Sequence, residues 1–118
     1  MRVESAPRPT VIAGVVRVST FRARAGQSAG LVDAAEGNAC DARAAAGCLS
    51  ADVCTAPGTC DTVLVISRWE SASALHAFLH RHERHAHDAV SPYASAGPRS
   101  VHYPVTAPRT PAVLPSPL

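Results

Sequence analysis

The chemically reactive side chains of this 118-residue chain are concentrated in one segment. Five of its six histidines lie in the twelve residues HAFLHRHERHAH, at positions 76–87. On a helix, four side chains of this segment would share one stripe, at spacings of 4, 3 and 4 residues: His76, His80, Glu83 and His87. Imidazole exchanges protons near neutral pH and binds metal ions, so the stripe could supply a general base or a ligand pair. The alternative is a solvated helix face on which histidine replaces other polar residues.

A pocket between a helix and a sheet would make some of these side chains functional. We expect the helix side that faces the sheet to bring one or two histidines into such a pocket, with His76 and His80 as the candidates for catalysis. Four further side chains could bind a substrate there, or could equally lie at an edge or rim: Arg17, Tyr93, His102 and Tyr103.

The charge and cysteine patterns exclude several classes of protein. The net charge is +2, and the eleven basic residues, all arginine, are scattered among nine acids, which gives no support to nucleic-acid binding. We expect a cytoplasmic protein, because positions 1–10 carry charges and prolines and no run approaches a membrane span. The four cysteines are separated by 7, 5 and 5 residues, which matches no zinc pattern, and we predict no metal site. Free thiols are expected in a reducing compartment, with a Cys54–Cys60 hairpin bridge as the alternative.

Hydrophobic periodicity predicts six elements in the order β-α-β-β-α-β. Four strands are expected at 10–21, 48–54, 62–69 and 99–105, and two helices at about 27–46 and 71–88. Ser71 can cap the second helix, and one apolar stripe is expected to bury the first helix: Val32, Ala35, Ala39, Ala42 and Ala46. We predict one domain over 10–105, a flexible N-terminus over 1–9 and a proline-rich tail over 106–118.

This element order is that of the α+β ferredoxin-like fold. Two right-handed crossovers would place both helices on one face of a four-stranded antiparallel sheet. The third strand is apolar on both sides, since Val63 and Val65 point one way while Leu64 and Ile66 point the other. A second subunit would cover the face that the helices leave open, and a twofold homodimer is the simplest solution. The prediction is therefore a dimeric α/β barrel.

Three segments in this order resemble the antibiotic biosynthesis monooxygenase family of the dimeric α/β-barrel superfamily: AAAGCLSADV, TVLVISRWES and RSVHYPV. The most specific feature is the strand that ends in Trp69-Glu70-Ser71, preceded by the Gly47-Cys48 strand start. The resemblance covers about residues 10 to 105. It implies a pocket between sheet and helices in each subunit of a dimer. It also implies oxidation of aromatic polyketides, such as anthrones, to quinones by molecular oxygen with neither metal nor flavin.

The resemblance also implies roles for two strand residues. Trp69 matches the tryptophan that lines the pocket in the family, where we expect it to act in catalysis; a tryptophan that seals the core is the alternative. The family has an asparagine four residues earlier, and here Val65 stands at that position, so Val65 is expected to contact the substrate. The chain is thus expected to be a cofactor-free monooxygenase, or a related tailoring enzyme, with oxygen as co-substrate.

Two other functions stay open. Haem-degrading relatives share this fold and use a helix histidine as the iron ligand, so the histidine segment and Trp69 also suit a haem-binding or haem-degrading protein. The missing strand asparagine suits a non-oxidative cyclase or a ligand-binding partner in a biosynthetic pathway.

Overall fold

A computed structural model describes residues 14–58 and 61–106, which form a four-stranded antiparallel sheet and two helices. The elements are β1 Val15–Arg22, α1 Ser28–Arg43, β2 Cys48–Thr55, β3 Thr62–Trp69, α2 Ala72–Val90 and β4 Arg99–Pro104. The strand order is β2-β3-β1-β4, so the predicted ferredoxin-like fold is confirmed, with β4 at one edge. The start of the first predicted strand, positions 10–13, lies outside the described residues, as do the predicted N-terminal segment and nearly all of the tail.

The pairing of β1 with β3 sets the two faces of the sheet. The register runs without interruption from Val15 opposite Trp69 to Arg22 opposite Thr62. Because side chains alternate along a strand, directly opposed residues share a face. One face therefore carries Val15, Arg17, Ser19 and Phe21 of β1 together with Val63, Val65, Ser67 and Trp69 of β3. This is the face that the helices cover.

Helix α1 lies close to the sheet because its inner stripe is built mainly of alanine. The buried residues are Leu31, Ala35, Ala39 and Ala42. Three of them belong to the predicted stripe, while Leu31 occupies the place expected for Val32. The helix ends at Arg43 and not at the predicted 46, because the chain turns through Gly47, at φ +86°, to enter β2.

Helix α2 begins as predicted and runs two residues longer. The Ser71 hydroxyl accepts a hydrogen bond from the Ala74 N–H at 3.1 Å, which satisfies one of the free donors of the first turn. Leu75, Phe78 and Val90 are buried against the sheet side of the domain. Helix α2 therefore covers the sheet with large side chains, where α1 does so mainly with alanine.

The helices leave the opposite face of the sheet uncovered, and an apolar strip crosses its centre. Leu64 and Ile66 lie there and are half-buried, so the two-sided apolar character predicted for β3 is confirmed. Two β4 residues extend the surface, since Val101 is 44% exposed and Tyr103 is 52% exposed. Val101 lies opposite Val18 of β1, and Tyr103 lies opposite Val16 of the same strand.

Two further expectations concern thiols and membranes. Cys40, Cys48 and Cys54 are free thiols, and the Cys60 partner of the alternative bridge lies outside the described residues. Neither α1 nor α2, the helices of the described part of the chain, is long and apolar enough to cross a membrane.

Candidate active site

A cavity of about 250 Å³ lies between the sheet and the helices. Its floor is the covered face of β1 and β3, and its roof is α2. Asn38, Asp41 and Ala42 of α1 close one side, and Pro98 and Ser100 close the other. The Asn38 side-chain amide donates to the Ala86 carbonyl at 3.2 Å and so ties the two helices together beside the cavity.

Three rings form a continuous wall inside this cavity. Trp69 is fully buried, and its ring centroid lies 5.1 Å from that of Phe78 at an interplanar angle of 32°. The Phe78 ring in turn stacks on His82, at 4.8 Å and 22°. The Trp69 indole N–H donates to the Ser67 hydroxyl at 2.9 Å, so its polar atom is satisfied within the strand. The three rings hold one another in place and give the cavity one aromatic side.

The floor next to this wall is polar and cationic. Ser19 of β1 lies opposite Ser100 of β4, and their hydroxyl oxygens are 2.8 Å apart. Arg17 donates a hydrogen bond from Nη2 to the same Ser100 hydroxyl at 3.1 Å. The cavity therefore has one aromatic side and one side that presents hydroxyl groups and a guanidinium.

Burial and neighbouring charges together shift the pKa values of Arg17 and His102, which lie opposite each other on β1 and β4. Burial lowers the pKa of Arg17, and the nearby Glu83 carboxylate partly raises it; the guanidinium stays protonated, since its ordinary pKa is far above neutral. The imidazole of His102, which lies opposite Arg17, has a pKa lowered first by burial and then by the positive charges of Arg17 and His76, with Glu83 opposing them. His102 is therefore neutral near pH 7.

The structure brings three of the predicted site residues together. Trp69, Val65 and Arg17 all line the cavity, because they stand on the covered face of adjacent strands. The two histidines expected to reach the pocket do not. His76 and His80 are exposed and lie outside the lining, because Leu75, Phe78 and Leu79 are the residues that turn this half of α2 toward the sheet. The histidines that do line the cavity are His82 and His87.

The other three candidates also lie outside the lining. Tyr93 packs its ring against Gly30 of α1, at a point where no β-carbon would fit, so it is a packing residue. Tyr103 lies on the uncovered face of the sheet, opposite Val16. His102 shares the face of Arg17 but is exposed at the edge strand, beyond the cavity.

Several lining residues were not predicted. Ser19 and Ser67 each lie two positions from a predicted site residue on the same strand, so strand alternation alone could have indicated them. Ser100 could be placed in the lining only from the register of β4 against β1, which no local pattern supplies. His82 and Phe78 could be predicted as lining residues only if the rotation of α2 about its axis were known.

The positions of the α2 histidines bear on the haem hypothesis. That hypothesis rested on Trp69 and the histidine segment of α2. Trp69, His82 and His87 line the cavity, whereas His76 and His80 do not. Within 14–58 and 61–106, no three histidine, cysteine or acidic side chains converge in an arrangement that could hold a metal ion. Haem needs only one axial histidine, which His82 or His87 could provide, so this absence does not bear on haem binding.

Fold and cavity together define an α+β ferredoxin-like domain that encloses a cavity between its sheet and its helices. The family model described as antibiotic biosynthesis monooxygenase matches residues 14–90. The chain belongs to this family, and the predicted family resemblance is confirmed. No curated protein matches the chain.

Solved structures of distant relatives share the fold. SnoaB from Streptomyces nogalater, described as a cofactor-independent oxygenase, is 17% identical with a TM-score of 0.66, over 86% of this chain and 99% of SnoaB. Rv0793 from Mycobacterium tuberculosis is 19% identical with a TM-score of 0.68, over 86% of this chain and all (100%) of that one. A protein of unknown function from Nitrosomonas europaea, NE2512, is 19% identical with a TM-score of 0.71, over 86% and 98% of the two chains.

Proposed function

We propose that this protein is a cofactor-independent monooxygenase that oxidises a small aromatic substrate of the anthrone type with molecular oxygen. The observation that carries the proposal is the wall formed by Trp69, Phe78 and His82, which offers stacked rings beside a polar floor. Family membership supports the reaction class, and the oxygenase described for SnoaB has the same fold. The cavity of about 250 Å³ lies just below the range of roughly 300–1,000 Å³ usual for ligand sites, which favours a compact substrate.

The reaction would need little from the protein beyond a dry site, a base and well-placed donors. A base removes a proton from the activated methylene of the substrate, and the resulting carbanion passes an electron to oxygen. One oxygen atom becomes the new carbonyl oxygen, and the other leaves as water with the two methylene hydrogens. The four electrons lost by the methylene carbon are those gained by one molecule of oxygen.

We assign the role of base to His82. Its ring lines the cavity and stacks on Phe78, so a substrate lying along the ring wall would be in contact with it. Imidazole is the side chain best suited to accept a proton near neutral pH. Trp69 holds the far end of the wall, where its buried ring orients the substrate.

Oxygen uptake by the metal-free protein with an anthrone tests this proposal. We expect quinone formation after treatment with a chelator, and a loss of at least about tenfold in kcat/KM, about 1.4 kcal/mol of transition-state stabilisation, for both Trp69→Phe and His82→Gln. His80→Gln is the matched control, because His80 lies on the same helix but is exposed and outside the lining; its rate should equal that of the parent protein.

Three results would contradict the proposal. Turnover that ends on chelation would show a metal-dependent reaction. Equal rates for Trp69→Phe, His82→Gln and the control would place the chemistry elsewhere. Binding of the anthrone without oxygen uptake would favour a non-oxidative cyclase or a ligand-binding partner.

We also propose that a second copy of the chain covers the open face of the sheet. An apolar surface lies on this face, where Leu64 and Ile66 are half-buried and Val101 and Tyr103 are exposed. Such a surface supports a twofold dimer in which the two sheets pack against each other. Ile66→Asp places a charge at the centre of this surface, and we expect it to convert a dimer into a monomer of 12.2 kDa in light-scattering measurements. Ala72→Asp, exposed at the start of α2, is the control and should stay dimeric. A parent protein that is monomeric at micromolar concentration would refute the dimer.

A further inference from the structure

Arg17 differs from other well-placed arginines of the domain in lacking a full set of partners. Its Nε atom is buried and has no hydrogen-bond partner. The Nε of Arg24 donates to the Ala94 carbonyl, and the Nε of Arg43 donates to the Ala51 carbonyl, each at 2.8 Å. Arg43 also has a carboxylate at 3.6 Å, that of Glu36. Across 14–58 and 61–106, no carboxylate oxygen comes within 4.0 Å of the Arg17 guanidinium.

An unsatisfied donor of this kind is costly. A buried polar group without a partner costs about 1–3 kcal/mol, and more when it is charged. Burial also disfavours the charged form, as the lowered pKa of Arg17 shows, yet an arginine keeps its proton. An anion in the cavity that accepts hydrogen bonds from the guanidinium would stabilise its charged form.

The neighbours of Arg17 form a site for the oxygens of such an anion. Ser19 and Ser100 are in contact with each other beside it, and each hydroxyl can turn to donate a proton. The guanidinium presents parallel N–H groups that match the two oxygens of a carboxylate. The roof of the cavity has the opposite charge, since Asp41 and Glu83 line the helix side. A ligand that is negative at its sheet end and neutral at its helix end therefore suits both walls.

We propose that the substrate carries a carboxylate group, which Arg17 binds with the help of the Ser19 and Ser100 hydroxyls. The aromatic part of the substrate then lies along the wall of Trp69, Phe78 and His82. This inference rests on the proposed function, because it names the substrate class of the same cavity. It gives Arg17 the task of selecting acids over neutral compounds of the same shape.

Calorimetric binding of two matched probes, 2-naphthoate and 2-naphthamide, tests the inference without any turnover. The two share a ring system and differ at one substituent, which is an anionic carboxylate in the acid and a neutral carboxamide of similar shape in the amide. Hydrogen bonds to a charged partner are worth about 1.5–3 kcal/mol, so we expect the acid to bind the parent protein about tenfold to hundredfold more tightly than the amide. Arg17→Gln should remove that preference, and Arg17→Lys should keep part of it.

A third variant guards against loss of folding in Arg17→Gln. Ser100→Ala removes the hydroxyl that holds the guanidinium, and we expect it to weaken binding of the acid more than binding of the amide, so that the preference for the acid falls. Equal affinities of the parent protein for the two probes, including no measurable affinity for either, would overturn the inference. A preference that survives in a folded Arg17→Gln protein would also overturn it. Oxygen uptake is not used, so a failed oxygenase assay and a failed binding assay remain distinct results.

Discussion

Trp69→Ala is expected to lower the free energy of unfolding by about 3–5 kcal/mol. Trp69 is the largest of the fully buried side chains, and it joins β3 to both helices through one cluster with Val15, Ala39, Leu75 and Phe78. Removing the indole leaves a cavity and deprives the buried Ser67 hydroxyl of its donor. Domains of this kind are stable by only about 5–15 kcal/mol, so the variant should be close to unfolding at 37 °C.

Urea unfolding followed by circular dichroism measures this loss. Fluorescence cannot be used, because Trp69 is the single tryptophan of the chain. Trp69→Phe keeps most of the ring volume and should lose only about 1–2 kcal/mol, chiefly through the missing N–H donor. Trp69→Ala and Trp69→Phe proteins of equal stability would show that the indole does not support the core. The comparison also separates the structural role of Trp69 from its proposed role in substrate oxidation.

Gly47→Ala is expected to cost about 2–5 kcal/mol, although it adds a single methyl group. Gly47 has a φ of +86°, a region that residues with a β-carbon occupy only under strain. A β-carbon there would lie 2.5 Å from that of Ala74 in the first turn of α2. The Gly47 carbonyl accepts a hydrogen bond from the Glu70 N–H at 2.8 Å, so any shift would move the strand end beside Trp69.

Two further variants divide this cost into its parts. Gly26→Ala tests backbone strain alone, since Gly26 has a φ of +74° and no atom within 4 Å of an added β-carbon; we expect a loss of about 1–2 kcal/mol. Gly47→Ala combined with Ala74→Gly removes the clash and keeps the strain. In chemical unfolding, the double variant should recover part of the stability once the cost of Ala74→Gly alone is subtracted. Equal losses for Gly47→Ala and Gly26→Ala would disprove the clash.

Much of the fold was predictable because it depends on local patterns. The strands β2 and β3 begin at the predicted residues, Cys48 and Thr62, where alternating or β-branched runs follow turn signals. The buried alanines of α1 follow the predicted helical spacing. The difference at the end of α1 arises because alanines favour a helix to position 46, whereas the chain must turn early to place Gly47 against Ala74 and bring β2 into the sheet.

The candidate site was less predictable because it combines residues that are far apart in sequence. Trp69, Val65 and Arg17 could be placed on the sheet, since alternation on paired strands assigns a face to each. The contact between Arg17 and Ser100 joins residues 83 positions apart, and only the register of β4 against β1 creates it. Whether the histidine stripe is catalytic or solvated also could not be predicted locally, because it depends on which side of α2 faces the sheet.

The sequence by itself determined the order of the elements, the apolar stripe of α1 and the two apolar faces of β3, because each follows from the period of side-chain placement along one segment. Only the tertiary structure decided which helix histidine meets the cavity. The bulky Leu75 and Phe78 pack against the sheet side and so set the rotation of α2, which brings His82 to the ring wall and leaves His76 and His80 in solvent. Only the tertiary structure, too, left the Nε of Arg17 buried without a hydrogen-bond partner and placed its guanidinium beside two serines, since that requires β1 and β4 in register.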